Sequence, residues 1–130
     1  MEVLVALVIA CLGFVGIASS LNVSMKNNQS SMQRSSAVSE AYSVMDILRA
    51  DKSNAIIGRY NLSQFTCNNV SGDNTIGANL NLFLNGIKSN VDPSACGRIV
   101  CGSVQCVVDI RWTDKQNPTG NEMYSMRTRL

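Results

Sequence analysis

The stretch that decides the fold is VLVALVIACLGFVGIA, residues 3–18, in which sixteen consecutive positions carry no polar side chain. An α-helix rises about 1.5 Å per residue, so this run makes a helix of about 24 Å, against a hydrocarbon core of about 30 Å. A cleaved signal peptide begins with basic residues, whereas the only charge beside this run is Glu2, and the first cation is Lys26. Basic flanks normally stay in the cytoplasm, so Lys26 alone would orient the chain wrongly for an exported domain. We therefore expect that a basic leader precedes Met1.

Composition excludes several classes of function. The chain has 130 residues, a net charge of +2 and no histidine. Without histidine, Ser-His-Asp and Cys-His catalysis are excluded, and the sequence places no other catalytic group of Cys, Asp and Glu together. A charge this small does not by itself imply a nucleic-acid partner. We predict a protein that is not an enzyme, with no catalytic residue, no cofactor and no metal.

A helical period continues after the apolar run. No Pro or Gly interrupts residues 19–36, and Leu21, Met25 and Met32 lie four and seven residues apart. The period resumes further on, in a stripe formed by Val38, Ala41, Tyr42, Met45 and Leu48. We predict one helix from about Val3 to Ala50, apolar over 1–20 and amphipathic over 21–50, with the later stripe packed on the chain's own sheet. A flexible serine-rich linker over 19–36 is the alternative.

The remaining segment, 51–130, is predicted to be a globular head. Asn68–Gly77 is rich in turn formers, and its Asp73–Asn74 pair lacks the alternating ligands and distal Glu of a calcium loop. A helix over 78–91 is predicted by the spacing of Leu80, Phe83, Leu84 and Ile87.

Alternating residues predict the strands of the head. These are 98–101, 108–112 and 124–130, with Val108, Ile110 and Trp112 sharing a buried face and a turn at 116–121 that contains Pro118 and Gly120. The fold class is therefore α+β: a long N-terminal helix packed on a small antiparallel sheet of three or four strands.

Five cysteines divide into one and four. Cys11 lies inside the apolar run and is expected to act as a small hydrophobe. The even count in the head predicts two disulfides among Cys67, Cys96, Cys101 and Cys106. Three pairings are open. A hairpin would bring Cys101 to Cys106 and leave Cys67 for Cys96, so this pairing is favoured. A zinc site is the alternative, which the absence of a CxxC pair disfavours.

The N-terminal sequence resembles that of a known family. Met1–Ile9, MEVLVALVI, resembles the start of the mature helix in type IV pilins, and is closest in wording to minor pilins of the PilV kind and to minor pseudopilins of type II secretion. Glu2 matches the family's glutamate, whereas the leader, the methylated Phe and the two residues after it are missing here. The resemblance implies the type IV pilin fold. It also implies that Glu2 receives a positive charge from a neighbouring subunit's N-terminus, which sets the register of assembly.

A second match lies at the end of the predicted helix. In Tyr42–Asn61, YSVMDILRADKSNAIIGRYN, the residues that stand where PilV-type minor pilins have similar ones are Asp46, Leu48, Arg49, Ala50, Gly58, Tyr60 and Asn61. Gly58 is able to end a short helix or a turn, and Asp51 is able to cap such a helix. This match favours a pilus over a secretion system.

The resemblance implies a minor pilin that helps to initiate and assemble type IV pili, with consequences for twitching motility, adhesion or DNA uptake. It implies processing by a prepilin peptidase, N-methylation and residence in the bacterial inner membrane, followed by transfer to the pilus fibre or tip with the head periplasmic or extracellular. The implied partners are other minor and major pilins, the inner-membrane assembly platform and a tip adhesin.

Two alternatives accompany this interpretation. One is a minor pseudopilin of type II secretion. The other is a DNA-binding pilin that uses Arg98, Arg111, Arg127 and Arg129. A nucleic-acid partner is disfavoured, because Asp109 is expected beside Arg111 on the same sheet face and exposed arginines are usually a solvated surface.

Overall fold

The computed structural model describes residues 2–72, 74–114 and 120–130. Its elements, in chain order, are α1 (Glu2–Ala50), α2 (Lys52–Ile56), β1 (Leu62–Thr66), α3 (Thr75–Asn90), β2 (Cys96–Cys101), β3 (Gln105–Thr113) and β4 (Asn121–Arg129). The strands form one antiparallel sheet in the order β1-β2-β3-β4. The predicted α+β class is confirmed, and the arrangement is consistent with a pilin fold.

The chain divides into two compact units, Met1–Ser31 and Met32–Leu130. The first is helical over all its described residues, and the second holds the rest of α1 together with α2, α3 and the sheet. The prediction of one helix over Val3–Ala50 is confirmed, and the alternative of a flexible linker over 19–36 is wrong. Residues 19–36 lack helix breakers, and a helix satisfies their backbone groups internally.

The face of α1 that packs on the sheet differs from the predicted stripe. Its buried residues are Gln33, Ala37, Ala41, Val44, Met45 and Leu48. Tyr42 was predicted on this face, but its side chain is 54% exposed, and Val38 is only half-buried. Each residue turns a helix by about 100°, so Tyr42 lies a quarter-turn from Ala41, beyond the narrow strip that the sheet and α3 cover. Ala37 and Ala41 lie at the centre of that strip and are fully buried.

The core lies between α1, α3 and the inner face of the sheet. Val108, Ile110 and Trp112 are buried there, as predicted. The predicted helix over 78–91 is confirmed as α3, and its four apolar residues Leu80, Phe83, Leu84 and Ile87 also belong to the core. Alternation in β4 is confirmed as well, with Tyr124, Met126, Thr128 and Leu130 half-buried.

The sheet has four strands, within the predicted range of three or four. β2 begins two residues before the predicted 98–101, and β1 was not anticipated at all, since LSQFT shows no clean alternation. Gly102 and Ser103 do connect β2 to β3, where the Gly102 N–H donates to the Gln105 carbonyl at 2.9 Å. Most of the predicted turn at 116–121, including Pro118, lies outside the described residues, as does Asp73.

Candidate functional site

The N-terminal part of α1 is apolar and uncovered. One 18-residue window of the helix has a mean hydropathy of 2.5, and none of it is buried inside the protein. Phe14, for example, is 74% exposed. A core helix of a soluble protein would be mostly buried, and this window is not. By length and composition it is able to cross a membrane.

Glu2 lies in the first turn of α1. A carboxylate is favoured at this end of a helix because the unpaired N–H groups there carry partial positive charge. In the described part of the chain, no ion pair involves Glu2. Cys11 is a free, exposed thiol further along the same apolar segment.

The segment 42–61, which carries the second match to pilins, forms the junction between α1 and the sheet. Leu48 is fully buried in the core. Arg49 bridges to the sheet, since one guanidinium nitrogen donates to Asp46 at 3.0 Å and another donates to Thr128 of β4 at 2.8 Å. Lys52 then donates to the Leu130 carbonyl at 2.8 Å. Together these contacts attach the end of α1 to β4.

Gly58 ends the short helix α2, as the sequence predicted. Its φ of 79° lies in the left-handed region, which glycine adopts without strain. The Gly58 N–H donates to the Ala55 carbonyl at 3.0 Å and the Arg59 N–H to the Asn54 carbonyl at 3.1 Å. These two bonds make a Schellman motif, which satisfies carbonyls that the helix leaves unpaired.

Asp51 is the centre of a polar cluster at this junction. It was predicted to cap α2, but its side chain makes no cap bond to the α2 backbone. It instead accepts hydrogen bonds from Tyr60 Oη at 2.9 Å and from Asn54 Nδ2 at 2.8 Å. Asn79 of α3 donates to the same Tyr60 hydroxyl at 3.2 Å. The cluster therefore links α2, the following turn and α3.

This cluster shifts two pKa values in opposite directions. The hydrogen bonds from Tyr60, first, and from Asn54 lower the pKa of Asp51 below its ordinary value of 3.8. Burial, first, and the interaction with Asp51 raise the pKa of Tyr60 above its ordinary value of 10.0. Both shifts favour the pair in which Asp51 is ionised and Tyr60 is neutral.

Asn61 extends the sheet with its side chain. Its Oδ1 accepts from the Cys101 N–H at 2.7 Å, and its Nδ2 donates to the Cys101 carbonyl at 3.3 Å. Asn81 makes the same pair of bonds to the backbone of Val70, with lengths of 2.8 and 3.1 Å, and so fixes the loop before α3. These contacts of segment 42–61 thus build the fold.

The head contains two disulfides, Cys67–Cys96 and Cys101–Cys106, the pairing that the sequence favours. The first ties the segment after β1 to the start of β2, and the second closes the β2–β3 hairpin. The alternative of a zinc site on these cysteines is wrong, because all four sulfurs are used in disulfides. Among the described residues, no group of three or more potential metal ligands occurs. Asn74, part of the calcium-like pair, caps α3 by accepting from the Gly77 N–H at 2.8 Å.

A buried polar network that the sequence did not reveal lies at the other end of the head. Gln33 of α1 donates to the buried carboxylate of Asp92 at 3.2 Å. The other oxygen of Asp92 accepts from the backbone N–H and the hydroxyl of Ser94, and that hydroxyl accepts from the Thr113 N–H. The network joins α1 to the loop before β2 and to the end of β3. Only the fold brings these distant residues together, so no sequence pattern announces them.

The outer face of the sheet collects all four arginines of the DNA-binding alternative. Strand register places Arg98 opposite Asp109, and it places Arg127 and Arg129 opposite Val107 and Gln105. Side chains alternate along a strand, so these residues share a face with Arg111. Four arginines and one aspartate lie there, a larger positive charge than the net +2 of the whole chain.

The four arginines have two different environments. Arg98 pairs with Asp109 at 2.6 Å, and the Asp109 side chain is only 3% exposed. Phe65 of β1 lies beneath both Arg98 and Arg111, at 5.1 and 4.3 Å from ring centre to guanidinium carbon. Arg127 and Arg129 of β4 are exposed. Phe65 was missed because β1 itself was not anticipated.

Comparisons with protein-family models, with curated proteins and with solved structures found no match to this chain.

Proposed function

We propose that this protein is a minor pilin, which helps to initiate and assemble type IV pili. The observation that carries the proposal is the contrast within α1. Its first part is apolar and wholly uncovered, whereas its last part is buried under a four-stranded antiparallel sheet in a disulfide-bonded head. The resemblance of residues 1–9 and 42–61 to PilV-type minor pilins supports the same function.

The uncovered segment needs an apolar environment on all sides. Before assembly this is the hydrocarbon of the bacterial inner membrane. In the fibre it is the bundle of helices from other minor and major pilins, which replaces lipid contacts with protein contacts. The assembly platform in the inner membrane would extract the subunit, and a tip adhesin would join it at the end of the fibre. Pilus function in twitching motility, adhesion and DNA uptake would depend on that step.

Glu2 would supply the register of assembly. An ionised carboxylate next to a membrane helix costs free energy, about 2.5–3.5 kcal/mol near the bilayer centre and less towards its edge. A positive N-terminus from an adjacent subunit would offset that cost in only one axial position. This N-terminus would be the methylated product of prepilin peptidase.

The head is suited to an oxidising compartment. Disulfides persist in the periplasm and outside the cell and are rare in the cytosol. Two of them staple the head, which belongs to the compact unit Met32–Leu130 of about one hundred residues. A periplasmic and then extracellular head is the location that a pilin requires.

The test is a deletion of the natural gene, complemented by alleles that keep the native leader. Surface pili are counted by electron microscopy for the wild type, Glu2→Ala, Glu2→Gln and Glu2→Asp. Wild-type protein should restore piliation, while Glu2→Ala and Glu2→Gln should not, because both remove the charge. Glu2→Asp keeps the charge and should restore pili in part. Immunoblots of membrane fractions verify that each variant is made.

Normal piliation in the deletion strain would overturn the proposal. If secretion of exported enzymes fails in that strain instead, the protein is a minor pseudopilin of type II secretion. Equal piliation by Glu2→Gln and the wild type would contradict the role of the Glu2 charge in assembly and would leave the minor-pilin proposal standing.

A further inference from the structure

The two edges of the sheet differ in how open they are to another strand. β1 is five residues long, and its pairing with β2 is interrupted by a bulge. β4 is nine residues long and pairs with β3 in unbroken register from Asn121 to Arg129. Long, regular edge strands are open to pairing with another chain, whereas short and bulged ones are protected.

The outward backbone groups of β4 follow from its pairing with β3. The Leu130 N–H donates to the Val104 carbonyl and the Asp114 N–H to the Gly120 carbonyl, so the even-numbered residues of β4 bond to β3. In an antiparallel pair the remaining residues point their N–H and C=O groups the other way. Met123, Ser125, Arg127 and Arg129 therefore present these groups at the free side of β4, and no other described strand pairs with them. We call this row the β4 edge.

Side chains around the β4 edge are positively charged on one face of the sheet and apolar on the other. On the outer face Arg127 and Arg129 are exposed and form no ion pair with any described residue. On the inner face Tyr124 and Met126 are only half-buried, although they pack against the core. An added strand would therefore meet positive charge on one face and apolar surface on the other.

Helix α1 lies beside the β4 edge. Arg34 contacts Glu122 of β4 at 3.0 Å and Arg49 contacts Thr128 at 2.8 Å, so this face of α1 is turned to β4. Tyr42 lies between Arg34 and Arg49 along the helix, and at about 100° per residue it is about 20° from Arg49 and about 80° from Arg34 around the axis. Its ring is 54% exposed and is on the side of the helix near Arg49, the residue that contacts β4.

We propose that the β4 edge binds an extended acidic segment of a partner protein as a fifth strand. The segment would carry two carboxylates two residues apart, opposite Arg127 and Arg129, and apolar side chains on its other face beside Tyr42. Opposite charges directly across two strands stabilise the pair, and main-chain hydrogen bonds provide the rest of the affinity. The site lies in the head and stands whether or not the chain assembles into a pilus.

A nucleic acid fits this edge less well than a polypeptide. A phosphodiester backbone has no N–H group to donate to the outward carbonyls of β4. Arg98 is already paired with Asp109, and Phe65 is covered by two guanidinium groups rather than open for stacking with a base. Two arginines at a strand edge, neither in an ion pair with a described residue, match two carboxylates better than a continuous row of phosphates.

The test uses the full natural chain in detergent micelles and two fluorescent nine-residue peptides. One alternates Glu with Val, and the other alternates Lys with Val. The Glu peptide should bind and should slow the hydrogen exchange of the Ser125 and Arg127 amides. Arg127→Glu with Arg129→Glu should weaken the Glu peptide by about tenfold and strengthen the Lys peptide, since each charge pair is reversed. Arg59→Glu, an exposed arginine outside the sheet, is the matched control and should change neither.

A second variant tests the backbone. Ser125→Pro removes an N–H that points away from β3, so the native ladder should survive and Trp112 fluorescence should report a folded head. Binding of the Glu peptide should be lost.

Three results would overturn the proposal. The first is equal binding of both peptides by the wild type and the charge-reversed variant. The second is binding of a 20-base-pair DNA duplex that depends on Arg127 and Arg129 but not on the Ser125 N–H, which would make this face a nucleic-acid site. The third is a concentration-dependent dimer, without peptide, that Ser125→Pro dissociates, which would mean that a second copy covers the edge.

Discussion

The two parts of helix α1 have the same backbone and opposite surroundings. Residues 2–31 are helical but bury nothing, whereas residues 32–50 bury six side chains against the head. A long apolar run forms a helix because the helix satisfies its own backbone groups, whatever surrounds it. What covers the side chains is a separate question. In residues 32–50 it is the sheet and α3, whereas the apolar run of residues 3–18 is exposed throughout.

The largest expected effect comes from shortening one leucine in each part. Leu48→Ala should lower the free energy of unfolding of the head by about 2–5 kcal/mol, because it opens a cavity in a fully buried site. Leu21→Ala removes the same atoms from a side chain that is 59% exposed and should leave head unfolding unchanged. Trp112, the only tryptophan, is 2% exposed and reports unfolding in urea by its fluorescence. Equal destabilisation by both substitutions would contradict the division of the helix.

The next largest effect is expected from adding a charge to the apolar run of α1, where the head part of the helix should be insensitive. Val8→Arg should oppose membrane integration by about 2.5–3.5 kcal/mol, the cost of an arginine near the centre of a span. Ser43→Arg adds the same charge at an exposed position of the head part and should have no effect on integration. The measurement is the fraction of protein that resists alkaline extraction from membranes. If Val8→Arg and Ser43→Arg gave the same fraction, the apolar run of residues 3–18 would not lie in a membrane.

The smallest effect is expected in the pH dependence of stability, through Asp51 and Tyr60 just after the end of α1. The pKa of Asp51 is lowered in the folded state, so its contribution to stability is present above the unfolded value of about 3.8 and is lost as pH falls through the folded value. The pKa of Tyr60 is raised, so its contribution is present below about 10.0 and is lost as pH rises through the folded value.

Tyr60→Phe should therefore flatten the fall of stability in acid, because the hydroxyl is the first cause of the Asp51 shift. It should also remove the loss of stability that the ionisation of Tyr60 causes at alkaline pH. Tyr42→Phe is the control, since that ring is exposed on α1 and should leave both limbs unchanged. Urea unfolding between pH 2 and pH 11, followed by Trp112 fluorescence, measures both. An unchanged acid limb in Tyr60→Phe would show that Asp51 owes its low pKa to other donors.

Features set by neighbours in the chain could be predicted from the sequence. The apolar run, the period of α3, the alternation of β3 and β4 and the glycine at the end of α2 each depend on residues a few positions apart. The favoured cysteine pairing belongs here too, because only four residues separate Cys101 from Cys106 across a hairpin. Glu2 as the assembly residue and the pilin function are predictions that stay open until the piliation test.

Features set by contacts between residues far apart in the chain could not be predicted from the sequence. The predicted stripe on α1 wrongly included Tyr42. The helical period of the sequence identifies an apolar face, but it does not tell how much of that face the sheet and α3 cover. β1 escaped notice because its aromatic residue faces outward, beneath arginines from two other strands. Gln33 and Asp92 are 59 residues apart, and the bond between them exists only after α1 has packed on the head.

By itself the sequence determined that this protein has an apolar N-terminal helix, an α+β head and two disulfides among four cysteines. Local periodicity and composition are enough for that, since they control which backbone structure satisfies its own hydrogen bonds and which residues leave water. The tertiary structure alone decided which side of α1 is buried, that four arginines share one sheet face, and that β4 has a regular edge with which no other described strand pairs. Those properties depend on strand register and helix rotation, which only the packing of the whole head determines.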